Sequence, residues 1–127
     1  MFDYNELMQM AKEASNNAYC KYSNFRVGAC ILTASGKTFK GCNFENSSYG
    51  MAICAERCAV GTAIASGETK INAVAIYSPN MDNCYPCGAC RQVLDEFKND
   101  DIDVITEENG NIKVTKLSYL LPESFSL

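Results

Sequence analysis

Ile71-Asn72-Ala73-Val74-Ala75-Ile76-Tyr77 is the stretch that decides the fold. Apart from Asn72 the run is apolar throughout, the mark of a central strand buried on both faces. The chain around it alternates helical and strand patterns. Upstream, Cys54 to Ser66 predicts a helix whose Ala55, Ala59, Gly61 and Ala63 suit close packing, with Gly67 as its C-terminal stop. Downstream, Gly88 to Lys98 predicts a helix burying Val93, Leu94 and Phe97. Ile102 to Thr106 and Asn111 to Thr115 predict two strands about an Asn109-Gly110 turn. Nearer the N-terminus, Phe25 to Thr33 alternates, with Phe25, Val27, Ala29 and Ile31 on one side. Ala34 to Lys37 is a turn, and Thr38 to Phe44 returns as a strand. Asp3 followed by Glu6 reads as a capping box for a first helix with Leu7, Ala11, Ala14 and Ala18 on one face. Tyr22-Ser23-Asn24 breaks that helix. The expected fold is α/β, a three-layer sandwich with a mixed five-stranded sheet flanked by helices, in one domain over residues 1–127.

Composition narrows the function. The 127 residues carry a net charge of −4 and contain no basic run, so the electrostatic footprint of a nucleic-acid binder is missing. Met1–Cys20 carries Asp3, Glu6 and Glu13 and has no apolar core of a signal peptide, and no apolar run approaches membrane-spanning length. A cytoplasmic protein without membrane or nucleic-acid partners is expected.

Cysteine usage is the unusual feature: eight cysteines and no histidine. Eight could form four disulfides in a secreted scaffold. In a reducing compartment the better reading is a metal site plus buried free thiols. Without histidine, a metal site must use thiolate and carboxylate, and no imidazole can serve as a general base.

Three segments then matter together: Cys87-Gly88-Ala89-Cys90 after Pro86, Cys54-Ala55-Glu56 opening the preceding helix, and Asn43-Phe44-Glu45 past the second strand. Two cysteines at a C-x-x-C spacing on a helix start can reach one tetrahedral zinc. They could equally be a redox pair, because low-pKa thiols sit at helix N-termini too. A third thiolate from Cys54 favours zinc and leaves its fourth position open, as catalytic zinc requires. Cys84-Tyr85-Pro86-Cys87 offers an overlapping C-x-x-C, and Cys84 is taken as a bystander because it precedes Pro86.

Glu56 lies two residues from Cys54, close enough to sit beside the metal without binding it. Zinc acidifies a bound water, and a nearby carboxylate can take the proton and return it. The competing role for Glu56 is to complement its helix N-terminus. Three thiolates over-neutralise Zn²⁺, and an Arg57 guanidinium on cysteine sulfur would offset that, unless Arg57 is a solvated surface residue. Asn43 and Glu45 could be ordinary loop polars, and Phe25 an ordinary core aromatic. Cys20, Cys30, Cys42 and Cys58 read as small buried hydrophobes.

The match then becomes specific. Tyr22-Ser23-Asn24-Phe25-Arg26-Val27-Gly28-Ala29, Gly41-Cys42-Asn43-Phe44-Glu45-Asn46, Cys54-Ala55-Glu56-Arg57, Pro86-Cys87-Gly88-Ala89-Cys90-Arg91-Gln92 and Leu120-Leu121-Pro122-Glu123-Ser124-Phe125 resemble the homotetrameric zinc-dependent cytidine deaminases over nearly the whole chain. A Cys/His-x-Glu followed by Pro-Cys-x-x-Cys is the signature of zinc deaminases. The resemblance implies hydrolysis of cytidine and 2′-deoxycytidine to the uridines with release of ammonia, in pyrimidine salvage. It implies one Zn²⁺ per subunit on Cys54, Cys87 and Cys90, with Glu56 as proton shuttle. It places the base against Phe25 and on the Ala55 N–H, and the ribose 3′-OH on Asn43 and Glu45. It also implies a homotetramer in which Tyr49 and Phe125 lie near a neighbour's site. A carboxylate at the 3′ position accepts a hydroxyl and repels a phosphodiester, so a free nucleoside is the expected partner.

The nearest alternative is a deaminase of a cytosine-nucleoside-like antibiotic, which shares Cys-Ala-Glu and Pro-Cys-x-x-Cys. A tRNA or DNA deaminase is disfavoured by the acidic charge and by Glu45. A structural zinc module would need a fourth ligand, and a thioredoxin-like reductant leaves Cys54 and Glu56 unexplained.

Overall fold

The computed structural model of the chain describes residues 2–127. Its elements run α1 (Tyr4–Ser15), β1 (Gly28–Thr33), β2 (Thr38–Cys42), a 3-10 turn (Tyr49–Met51), α2 (Ala55–Ala65), β3 (Ile71–Tyr77), α3 (Gly88–Glu96), β4 (Lys98–Glu108), β5 (Asn111–Lys116) and α4 (Leu117–Leu120). The five strands form one sheet in the order β2-β1-β3-β4-β5. Only β3 and β4 pair in parallel; the other pairs are antiparallel. The apolar run is therefore the central strand. Its side chains alternate between two cores: Val74 and Ile76 pack towards α2 and α3, Ala73 and Ala75 towards α1. The three-layer α/β expectation holds.

Topology sets the position of the site. Strand β1 runs against both β2 and β3, so those two run the same way. Helix α2 follows β2 and α3 follows β3. Both helices lie on one face of the sheet and start at the same end of it. The residues that open them, Cys54 and Cys87, are the N-caps of α2 and α3. Two glycines let the layers close up. A Cβ on Gly41 would stand 2.4 Å from the Ala59 nitrogen in α2, and one on Gly28 would stand 2.0 Å from the Ala11 carbonyl oxygen in α1.

Several boundaries differ from the sequence expectation. Helix α1 stops at Ser15, so Ala18 is buried but lies past its end. The Ser15 hydroxyl turns back to the Lys12 carbonyl, and the Arg26 guanidinium collects the carbonyls of Ser15, Asn16 and Ala18 at 3.2–3.4 Å. A distant cation thus caps the helix. At the other end, Asp3 accepts from the Asn5 N–H at 2.9 Å, an N-cap without the expected reciprocal bond from Glu6. Strand β1 starts at Gly28: Asn24 takes a positive φ of 58°, and the Asn43 side chain holds the backbone of Phe25 and Val27 in place of a strand ladder. Strand β2 ends at Cys42, helix α3 ends two residues early, and β4 starts four residues early. The 3-10 turn and α4 were not expected. Asn109 and Gly110 both have positive φ, the type I′ pattern expected for the β4–β5 hairpin.

Candidate active site

Three sulfurs meet where α2 and α3 begin. The Sγ atoms of Cys54, Cys87 and Cys90 all lie within 4.8 Å of one another, and those of Cys54 and Cys87 are 3.8 Å apart. Tetrahedral zinc with sulfur ligands at about 2.3 Å requires sulfur–sulfur separations of about 3.8 Å. The donor set therefore fits zinc. Cys84 stands outside this group: it is buried in the apolar core, which pushes its thiol up to about 11. No cysteine is paired in a disulfide. Cys20 and Cys30 are buried as expected, whereas Cys42 and Cys58 are only half-buried, since edge strand β2 leaves that flank partly open.

The electrostatics favour thiolate at Cys54. Hydrogen bonding from Cys90, then from Arg57, draws Cys54 down to about 5, while the Cys90 thiol is pushed up by donating to it. Arg57 Nη2 donates to Cys54 Sγ at 3.4 Å, and the sulfurs of Cys54 and Cys90 hold the guanidinium above its usual range. Arg57 Nε is buried without an acceptor, which suits a neighbourhood whose second sulfur becomes an acceptor once deprotonated.

Glu56 is only 5 % exposed. Burial, reinforced by the negative charge on Cys54, pushes its carboxyl up to about 7. A shift in this direction brings the carboxyl closer to neutrality, where a general acid–base group works best.

A cavity of about 350 Å³ opens onto these groups. Its lining includes Phe25, Asn43, Glu45, Ala55, Glu56 and Cys87, so every predicted site residue except fully buried Cys90 reaches one space. Asn43 and Glu45 also have structural work. Asn43 accepts from the Val27 N–H at 2.9 Å and donates to the Phe25 carbonyl at 2.8 Å, fixing the segment that carries Phe25. The Glu45 carboxylate accepts from the backbone N–H groups of Tyr22 and Ser23 at 3.0 and 3.1 Å and from the Ser23 hydroxyl. Led by the Ser23 hydroxyl, those bonds hold Glu45 below the usual carboxylate range.

Sequence reasoning missed Tyr85, whose ring lines the cavity, and the lining contributed by Phe44, Ala52 and Ile53. Tyr85 adjoins Pro86-Cys87, Ala52 and Ile53 precede Cys54, and Phe44 lies between Asn43 and Glu45; that adjacency was the only signal for them. Tyr49 lines an adjoining cavity with Tyr22, Ser23 and Glu45, while Phe125 is 70 % exposed and lines neither space. No helix among the described residues is long and apolar enough to cross a membrane.

Comparison with known proteins agrees with this geometry. The family described as "Cytidine and deoxycytidylate deaminase zinc-binding region" matches residues 1–106. A cytidine deaminase of Sporosarcina psychrophila is 42 % identical, over 98 % of this chain and 92 % of its own. The crystal structure of a cytidine deaminase from Burkholderia pseudomallei superposes with a TM-score of 0.91 at 41 % identity, covering 98 % of this chain and 100 % of its own. A blasticidin-S deaminase of Bacillus cereus is more distant, at 27 % identity over 95 % of this chain and 91 % of its own. Zinc is the cofactor that the matched family and the three-cysteine cluster share. With that cluster, a buried glutamate beside it and these similarities, the chain belongs to the zinc-binding cytidine and deoxycytidylate deaminase family, whose members are hydrolytic deaminases.

Proposed function

We propose that this chain, acting as one domain over residues 1–127, hydrolyses the 4-amino group of free cytidine and 2′-deoxycytidine, giving the uridines and ammonia. The observation that carries this is that Cys54 and Cys87, two of three convergent sulfurs, share one cavity with buried Glu56, Asn43 and Glu45. Cys54, Cys87 and Cys90 would hold the metal. Bound zinc supplies an acidified water at neutral pH. Glu56 takes a proton from the attacking water and delivers protons to the ring nitrogen and the leaving amino group. The Ala55 N–H, at the N-terminus of α2, donates to the base carbonyl, and Phe25 packs on the base. Arg57 draws charge from Cys54 and keeps the three-thiolate set from becoming too electron-rich.

Asn43 and Glu45 keep hydrogen-bonding capacity after their bonds to the 22–27 segment, since a carboxylate has about four lone-pair sites and an amide three or four. They meet the ribose 3′-OH, and the ionised Glu45 repels a phosphodiester there, which favours nucleosides over nucleic acid. The reaction fits pyrimidine salvage in the cytoplasm. Antibiotic deamination is the second reading, and the lower identity to the blasticidin-S enzyme makes it the weaker one.

The assembly is a homotetramer with shared sites. Tyr49 and Phe125 are 78 % and 70 % exposed, and Gly61 on α2 leaves open space beside the helix. Apolar side chains so placed suit the wall of a neighbour's cavity. Loss of cytidine absorbance on adding zinc-loaded protein tests the function. Turnover of blasticidin S with none of cytidine would reverse the choice.

A further inference from the structure

Arg91 sits at the fourth position of α3, near the end of the helix dipole that disfavours a cation. Its donors explain the placement. Nε donates to the Pro86 carbonyl at 2.8 Å and Nη1 to the Leu120 carbonyl in α4 at 2.9 Å. Its own N–H closes the first helical turn onto the Cys87 carbonyl at 3.0 Å. One side chain therefore grips the peptide unit just before a metal-cluster cysteine and ties it to a segment 29 residues away.

From this we infer that Arg91 is a positioning residue for the metal centre, fixing the Pro86–Cys87 backbone so that Cys87 and Cys90 keep their separation from Cys54. The inference rests on the zinc reading of the cluster. Pro86 is buried and has no N–H to anchor it within the loop, so this carbonyl is the handle the loop offers. The planar fork of a guanidinium reaches two carbonyls at once; an ammonium would keep the charge but give up the fork.

The test is the rate of zinc release from purified, zinc-loaded protein into excess chromogenic chelator. Residues that orient metal ligands typically carry 10–100-fold in metal affinity. Arg91→Met should therefore release zinc at least about tenfold faster than the wild type, with Arg91→Lys in between. Arg26→Lys is the control. Arg26 also grips several carbonyls, but at the end of α1, and its variant should release zinc at the wild-type rate. Wild-type release from Arg91→Met overturns the inference. So does equally fast release from Arg26→Lys, which would mean general loosening. Wild-type release from Arg91→Lys overturns it as well, because charge alone would then suffice. If Arg91→Met does not fold, Arg91→Lys decides alone. A wild-type chain that binds no zinc would overturn the zinc reading itself, and this inference with it.

Discussion

The sulfurs of Cys54 and Cys87 stand 3.8 Å apart although 33 residues separate them. Strands β2 and β3 run the same way on either side of β1, and each is followed by a helix on the same face, which brings the N-caps of α2 and α3 together. Metal analysis should find one zinc per chain. Cys87→Ser and Cys90→Ser should lose it, and Cys84→Ser should keep it. Zinc lost from Cys84→Ser but kept in Cys90→Ser would reverse the ligand assignment.

Glu56→Gln is nearly isosteric and cannot move protons. It should retain zinc and the fold while turnover falls at least about 10²–10⁴-fold, the usual worth of general acid–base catalysis. Near-normal turnover in a zinc-loaded variant would sink this mechanism.

The carboxylate of Glu45 should set the substrate class. Cytidine and deoxycytidine should turn over, free cytosine much less, and cytidine 3′-phosphate not at all. Glu45→Gln should raise KM for cytidine and weaken the discrimination against the 3′-phosphate. The folded pKa of Glu45 lies below its ordinary value of about 4.3. Its clasp on Tyr22 and Ser23 is therefore complete above that value and is lost as pH falls through the lower folded one. Between pH 8 and 5 Glu45 stays ionised, so its titration should leave KM unchanged. Efficient deamination of a single-stranded oligonucleotide would contradict the gate.

Gly41→Ala would drive a methyl into the backbone of α2, with the Ala59 nitrogen 2.4 Å and the Ala55 carbonyl oxygen 2.5 Å away. Overpacking of this kind costs about 1–3 kcal/mol, and the contact here is with rigid backbone. Chemical denaturation should show that loss as a lower midpoint. An unchanged midpoint for Gly41→Ala would mean that α2 yields more easily than its contacts imply.

Light scattering should give a mass near four chains. Mixing zinc-loaded Glu56→Gln with zinc-loaded Phe125→Ala, each inactive alone, should restore part of the activity if Phe125 acts on a neighbour's site. A fully active monomer would end the shared-site proposal.

The fold was largely legible because its signals are local. Ile71–Tyr77 reads as a central strand from its own composition, and Asn109-Gly110 as a hairpin turn from its own backbone preference. The metal cluster was legible because a third cysteine, Cys54, joins the C-x-x-C pair at another helix start and favours zinc over a redox pair. What escaped was set by side chains reaching far along the chain. Arg26 ends α1 from 8 to 11 residues away, and Asn43 peels Phe25 off β1 from 18 residues away. Neither contact follows from the residue periodicity by which helices and strands are read, so the early end of α1 and the late start of β1 could not be read in advance.

The amide of Asn43 is what joins two parts of the cavity wall that otherwise come from separate pieces of chain. Under the proposed function, reaction chemistry belongs to the starts of α2 and α3 and substrate selection to residues 22–27 and 43–45, outside regular structure. Such a division lets drift in one segment retune which cytosine compound is accepted without disturbing the metal. An engineer who wanted a new substrate for this scaffold would diversify the 22–27 segment around a fixed Asn43 and leave both helix starts alone.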